Sequence, residues 1–412
     1  MDMIQQSRRG NKCFRKKLSI GDQILKTVGV ICEYNPFHLG HLTQFRQIRA
    51  LYGADAAIVC LMSGNFVQRG ECAVFDKLVR AAAAVDCGAS LVLELPVTGA
   101  LRSAEGFARC GVETLDALGV ETLAFGSESG QTDDFLRLAA AMDTPEYDSA
   151  LREALAAGLS YPAAREAAAK RLALDDTLLQ TPNNILGLEY CKAARGRRIS
   201  PIALHRAGDY HAPTPDAAAP SASSLRALLD AGGDIAPFVP EAALRHFAGA
   251  ERHFPQCGER AMLARLRGMT PEDWAQTAHG SEGLWSLAMR AAQCCGTLQE
   301  LESMVKSRRY PMTRVRRLLL CAYLGLTDDD LRREIPYVRA VAMDGAGRAV
   351  LRTMRTLGSL PVVNAGQTPA DRGYFELELR AAGLYGLFGE GPVCAPPSQL
   401  RHERIYVRRN AE

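Results

Sequence analysis

Residues 27–41 read TVGVICEYNPFHLGH. The first seven, TVGVICE, are a short β-rich apolar run of the kind that becomes a buried parallel strand. The rest turn through Asn35 and Pro36 and open a helix over 41–51. Outward from this unit the alternation continues. AAIVCLM at 56–62 is a second buried strand, and an Ala-rich helix over 75–87 follows it and stops at Gly88. SLVLEL at 90–95 is a third strand, ended by Pro96. A helix over 103–118 stops at Gly119, and 120–125 is the fourth strand. Residues 131–170 and 184–194 read as helical, 199–205 as a fifth strand, 207–222 as a Pro/Ala/Asp loop, and 223–229 as a Ser-started helix. Strands alternating with helices predict an α/β fold built on a doubly wound parallel sheet.

The chain's 412 residues allow two or three domains. Residues 1–26 are polar and basic, and are expected to be a disordered tail. Residues 27–236 are expected to form the catalytic domain. Residues 237–412, read as mainly helices and Arg-rich turns, are expected to form a second, basic domain. Charge is split the same way. The tail carries seven Lys/Arg against two Asp/Glu, 27–240 carries 18 against 25, and 241–412 carries 24 against 19. An acidic body between basic flanks suits a catalyst that meets a polyanion. The longest apolar run, 318–326, has nine residues, far short of the roughly 20 a spanning helix needs, so no membrane partner is expected. Twelve cysteines lie scattered with no CxxC spacing, which predicts reduced thiols, a cytoplasmic protein and no resident metal site.

The chemistry concentrates in the first turn. His38 and His41 frame Gly40 as HxGH at a helix start. A helix N-terminus offers free N–H groups and partial positive charge to phosphate. Gly40 lets the backbone approach closely, and two imidazoles can donate to charge developing on a phosphate oxygen. SASSLR at 221–226 supplies a second helix start, where Ser223 and the Arg226 guanidinium could hold further phosphates.

The HxGH unit resembles the HxGH nucleotidyltransferase superfamily, whose enzymes attack the α-phosphate of ATP and release pyrophosphate. Other segments narrow the likeness: MSGNFVQRGE at 62–71, FGSESG at 125–130, PNNILG at 182–187 and HRAGDYH at 205–211. In this order they are similar to the bacterial tRNA(Met) cytidine acetate ligase family, strongly from about residue 27 to 230 and more weakly beyond. The resemblance implies a Rossmann-like nucleotidyltransferase sheet with a mainly helical C-terminal domain. It implies ATP, with Mg²⁺, as the activating substrate, and acetate as the acid made into acetyl-adenylate. The acceptor would be the wobble cytidine of elongator tRNA(Met), acetylated on N4. By the family's pattern ATP is met by Ile31, Cys32, Glu33, Tyr34, Asn35, Pro36, Phe37, His38, Leu39, Gly40, His41, Leu42, Thr43 and Gln44, together with Gly126, Asn183 or Asn184, and Arg206. His38, His41 and Arg206 are the expected catalytic residues, Arg206 facing either the α-phosphate or the acetate. Cys72 stands after QRGE where the family leads one to expect Pro, which puts that loop's rigidity in question.

For tRNA, the densest basic segment is KSRRYPMTRVRR at 306–317, with no acidic residue between Glu302 and Asp328. Arg308, Arg309, Arg314, Arg316 and Arg317 are expected to meet backbone phosphates, with Tyr310 stacking on a base. Lys77, beside the QRGE loop, is a further candidate, as is its neighbour Arg80. His211 is a possible base, with an exposed loop residue as the plainer reading. Two other functions fit part of the sequence: an adenylyltransferase for a phosphorylated small molecule, and a non-catalytic RNA-binding protein. The first needs no basic C-terminal domain, and the intact His38, His41 and Arg226 argue against the second.

Overall fold

The computed structural model describes residues 19–20, 23–24, 26–206, 220–392 and 400–408. Of the basic tail, it shows Ser19–Ile20 paired antiparallel with Gln23–Ile24. The rest of 1–25 lies outside the described residues, as does His211.

Five strands make the parallel core: β1 (Thr27–Cys32), β2 (Ala57–Ser63), β3 (Leu91–Leu95), β4 (Thr122–Ser127) and β5 (Ser200–His205). They are ordered β3-β2-β1-β4-β5, every neighbour parallel. β1 and β2 are buried along their whole length. Side chains alternate between two cores. Val28, Val30 and Cys32 pack with Ile58, Cys60 and Met62 against helices α1 (Leu39–Tyr52) and α2 (Lys77–Asp86). Ile31 packs with Val59, Leu61 and Leu91 against α3 (Ala104–Ala117) and α4 (Pro182–Ala194). Period-two alternation with both faces covered is what makes the sheet doubly wound.

The C-terminal part differs from a separate helical unit. Its helices, including α6 (Met312–Leu324), do enclose a core of their own around Trp274, Leu284, Leu301 and Leu318. However, Val338–Met343 returns to the main sheet as β6, antiparallel to β3, and carries Val362–Asn364 (β7) and Tyr406–Val407 (β8) on its other edge. The sheet is therefore mixed, with eight strands among the described residues. The strand VRAVAM escapes a sequence reading because a charged residue, Arg339, stands second among its six positions. That guanidinium is 1% exposed and bonds Glu378 Oε2 at 2.7 Å from helix α7 (Arg372–Tyr385), so the charge is neutralised inside the fold.

A short hairpin, Phe66–Val67 with Glu71–Cys72, joins the two halves. Phe66 and Cys72 belong to the helical core. The loop's rigidity does not depend on proline after Glu71, since Phe66 pairs directly with Cys72 and both are buried. Each cysteine among the described residues is free. No helix among them is long and apolar enough to cross a membrane.

Candidate active site

Between β1 and α1 the chain reverses sharply. Tyr34 has φ 47°, in the left-handed region, and the Asn35–Pro36 peptide is cis. Tyr34 and Phe37 are buried, their rings edge to face at 4.9 Å. The turn delivers His38 to the N-cap of α1, where its Nδ1 accepts from Gly40 N at 3.1 Å. His41 completes a capping box, its Nδ1 accepting from His38 N at 3.2 Å. A capping box normally uses Ser or Thr with Glu or Gln. Here two imidazoles do the work, and that fixes their tautomers. With each Nδ1 accepting, the hydrogen-bond network assigns the proton of each ring to Nε2.

The rings stack at 3.8 Å. His38 is 1% exposed and its Nε2 has no hydrogen-bond partner among the described residues, nor has the buried Asn35 Nδ2. Buried donors without partners are rare and point toward a ligand. Burial, then the charge of Arg206, pushes His38 down to about 3. Burial, His38 and Arg206 hold His41 well below the usual imidazole range. Both rings are thus neutral donors at physiological pH. A Cβ at Gly40 would lie 2.9 Å from His38 Cε1, so glycine is needed for the imidazole to fold back over the helix start.

Around this start lies a cleft of about 190 Å³ over the carboxyl ends of β1, β4 and β5. The strand order reverses between β1 and β4, the place where open α/β sheets bind ligands. Of the expected residues, Ile31, Cys32, Tyr34, Gly40, His41, Thr43, Gln44, Gly126, Asn183 and Arg206 line it. Phe37 is a core residue at 0% exposed, and Glu33 turns to the hairpin, accepting from Gln68 N at 2.8 Å. The Asn pair separates clearly. Asn183 lines the cleft, its Nδ2 donating to Glu128 Oε1 at 2.7 Å. Asn184 is buried beneath, accepting from Ser127 Oγ at 2.8 Å and Glu128 N at 3.2 Å, so it shapes the loop after β4.

The second helix start arrives beside the first. Ser221 caps α5 (Ala222–Asp230), accepting from Ser224 N at 3.1 Å. Pro220 lines the cleft, and Arg226 Nη1 donates to Asn35 O at 3.0 Å with Ser223 Oγ 3.4 Å from its other nitrogen. Sequence reasoning missed Gln47, Leu186, Tyr190 and His205 of the lining. Helical spacing could have found three of them. Gln47 is one turn beyond Gln44, and Leu186 and Tyr190 follow Asn183 by three and seven residues.

The basic candidates fare differently. Lys77 is 3% exposed, its Nζ 2.7 Å from Glu94 and 3.2 Å from Glu403. It is an internal ion pair and not a surface for tRNA phosphate, which corrects the expectation. Arg80, 0% exposed, is spent on backbone carbonyls of Glu33, Ser63, Gly64 and Phe75, riveting the ends of β1 and β2. Tyr310 is buried with its hydroxyl on Glu282 O at 2.6 Å, so it cannot stack on a base here. Arg317 is buried and donates to Gln68 O at 3.4 Å. Arg314 is tied to Glu282 and Ser281, and Arg316 to Glu71 and Glu302. Arg308 and Arg309 are exposed. No group of three or more His, Cys, Asp or Glu among the described residues could hold a metal ion.

The neutral imidazoles carry a pH consequence. His38 titrates at about 3 in the fold but near 6.5 when unfolded. Between these values the unfolded chain binds more protons, so stability rises with pH across the window and is fully present above it. Denaturation midpoints should therefore fall on going from pH 7.5 to pH 5. His38→Asn, which keeps a capping oxygen, should flatten that slope. An unchanged slope in the variant would show that His38 is not buried neutral.

A family model described as HIGH Nucleotidyl Transferase matches residues 25–395. A tRNA(Met) cytidine acetate ligase of Acetivibrio thermocellus is 35% identical, covering 93% of this chain and 100% of its own. One from Syntrophotalea carbinolica is 38% identical over 82% and 84%. Among solved structures, Thermotoga maritima TmcAL without ligand superposes with a TM-score of 0.85 at 29% identity, covering 93% of this chain and 100% of its own. The same protein bound with alpha-thio ATP gives 0.82 at 28%, over the same shares.

Proposed function

The chain belongs to the HIGH nucleotidyl transferase family and, within it, to the tRNA(Met) cytidine acetate ligases, and from that membership we propose that it joins acetate to the wobble cytidine of elongator tRNA(Met) at the expense of ATP. The observation that carries the reading is the imidazole pair at the start of α1: His41 lines the cleft at the sheet's switch point, and His38 is buried behind it with its Nε2 unpartnered among the described residues. In this reading ATP occupies the cleft, and the alpha-thio ATP bound to the Thermotoga relative supports a nucleotide site in this fold.

In the first step an acetate oxygen attacks the α-phosphorus, and the bond to the bridging oxygen of pyrophosphate breaks. Negative charge shifts toward the leaving group. The α1 N-terminus and the imidazole donors meet the phosphate oxygens without carrying charge of their own, so ground-state binding does not become too tight. Arg206 adds a cation at the cleft, and Arg226 with the α5 N-terminus takes the β and γ phosphates. Mg²⁺ would be held by the nucleotide's own phosphates and water, with no carboxylate or imidazole cluster among the described residues to cage it, and would offset phosphate charge. In the second step the cytidine N4 amine attacks the acetyl carbonyl and AMP leaves. The mixed anhydride is already reactive, so no enzyme nucleophile is required.

The adenylyltransferase alternative is not favoured, because the likeness to the ligases spans 93% of the chain and includes the part after residue 237. ATP–pyrophosphate exchange over a panel of carboxylates tests the proposal: acetate should support exchange without tRNA. Exchange with no carboxylate, or AMP transfer to a small phosphate ester, would overturn it.

For tRNA, the exposed pair Arg308 and Arg309 is retained from the basic segment. Arg308→Glu with Arg309→Glu should raise the tRNA KM and reduce the log–log salt slope by about 1–2. Acetate-dependent exchange should be nearly unchanged. Normal tRNA KM with the parental slope would place the contact elsewhere.

A further inference from the structure

The hairpin of the QRGE segment stands between two cations from different halves of the chain. Glu71 Oε2 is 3.5 Å from Arg226 Nη2, and its Oε1 pairs with Arg316 Nη1 of α6. Arg316 is held on its other side by both Glu302 oxygens at 3.0 Å. The backbone fixes this arrangement. Gly70 has φ +82°, and a Cβ there would lie 2.5 Å from Arg317 N, so the hairpin sits directly on the α6 backbone. Gln68 N donates to Glu33 Oε1 at 2.8 Å, tying the hairpin to the turn before α1. A cavity of about 420 Å³ borders Glu71, Glu302 and Arg316, leaving the side chains room to move.

We propose that Glu71 is a positioning residue that divides its charge between Arg226 and Arg316, and so couples the phosphate end of the nucleotide site to helix α6. The inference rests on ATP occupying the cleft. One carboxylate shared by two guanidinium groups cannot serve both fully, and the contact to Arg226 is the looser. Phosphate, with its several acceptor oxygens, takes Arg226 in competition with Glu71. Whatever draws Arg316 away, a tRNA phosphate being the relevant case, returns Glu71 to Arg226 and loosens the hold on pyrophosphate. Binding linkage makes the effect reciprocal.

The test measures ATP KM and kcat by acetate-dependent exchange in the full-length protein and four variants. Arg316→Gln should raise ATP KM about 5- to 20-fold. Glu302→Gln should do the reverse and lower ATP KM, because Arg316 then moves wholly onto Glu71 and releases Arg226. Glu71→Gln should lower kcat without raising ATP KM. In the Glu71→Gln background Arg316→Gln should have no further effect on ATP KM. A merely structural role would move Arg316→Gln and Glu302→Gln in the same direction. Same-sign shifts, or an Arg316→Gln effect that survives in full without Glu71, would overturn the coupling. Wild-type protein that shows no acetate-dependent exchange would instead overturn the ligase reading, and this inference with it.

Discussion

His41→Ala should lower the rate of acetyl-adenylate formation by about 10²–10³, the usual cost of removing one donor aimed at transition-state charge. The substitution removes two things: the Nε2–H donor, and the Nδ1 acceptor that receives His38 N. Loss of the cap alone costs about 1 kcal/mol of stability. His41→Gln separates the two, because Gln at this position of a capping box can still accept from the N-cap backbone. It should restore most of the stability and little of the rate. Pyrophosphate exchange at saturating ATP and acetate is the measurement. Parental exchange in His41→Ala would remove the imidazole pair from the chemistry.

Lys77→Ala should destabilise the fold by about 3–5 kcal/mol, the cost of breaking a buried ion pair by deleting one partner. Lys77 lies between Glu94 and Glu403, with side-chain exposures of 4%, 10% and 6%. Burial opposes the charge of the lysine, yet the two carboxylates more than offset this and push its pKa up. Burial pushes the Glu403 carboxyl up to about 7 even with Lys77 in place. Without the lysine both acids face each other in a dry site. Glu403 precedes β8, so the C-terminal strand should lose its anchor to α2 first. Chemical denaturation reads the effect. A loss below about 1 kcal/mol would mean that the pair is solvated.

The parallel half of the fold was legible in the sequence because its signals are local. Buried runs such as TVGVIC and AIVCLM are continuous, and α1 to α5 each end within two residues of a glycine. HxGH was legible for the same reason: its residues lie within four positions and act on one helix start. What escaped was set by distant partners. Lys77 looks like a surface cation until Glu94 and Glu403 arrive, 17 and 326 residues away. Arg339 hides a sheet strand because its partner, Glu378, lies on a later helix. Arg314, Arg316 and Arg317 look like one basic face. The fold gives each a different fate, because successive positions on a helix point in different directions. Tyr310 shows a further limit: an aromatic among arginines suggests nucleic acid, but here Arg309 and Arg314 lie over its ring and its hydroxyl is satisfied within the fold.

Activation of acetate on the α-phosphate of ATP, in the cleft at His38 and His41, decides where an acetate oxygen ends up. It is tested most directly by running one turnover with doubly ¹⁸O-labelled acetate, ATP and tRNA(Met), then weighing the AMP. Attack by acetate on the α-phosphorus leaves one acetate oxygen on the phosphate when the acetyl group departs. AMP should carry a single ¹⁸O, and pyrophosphate should be unlabelled. Unlabelled AMP, with the heavy oxygen found in inorganic phosphate or nowhere, would contradict activation on the α-phosphate.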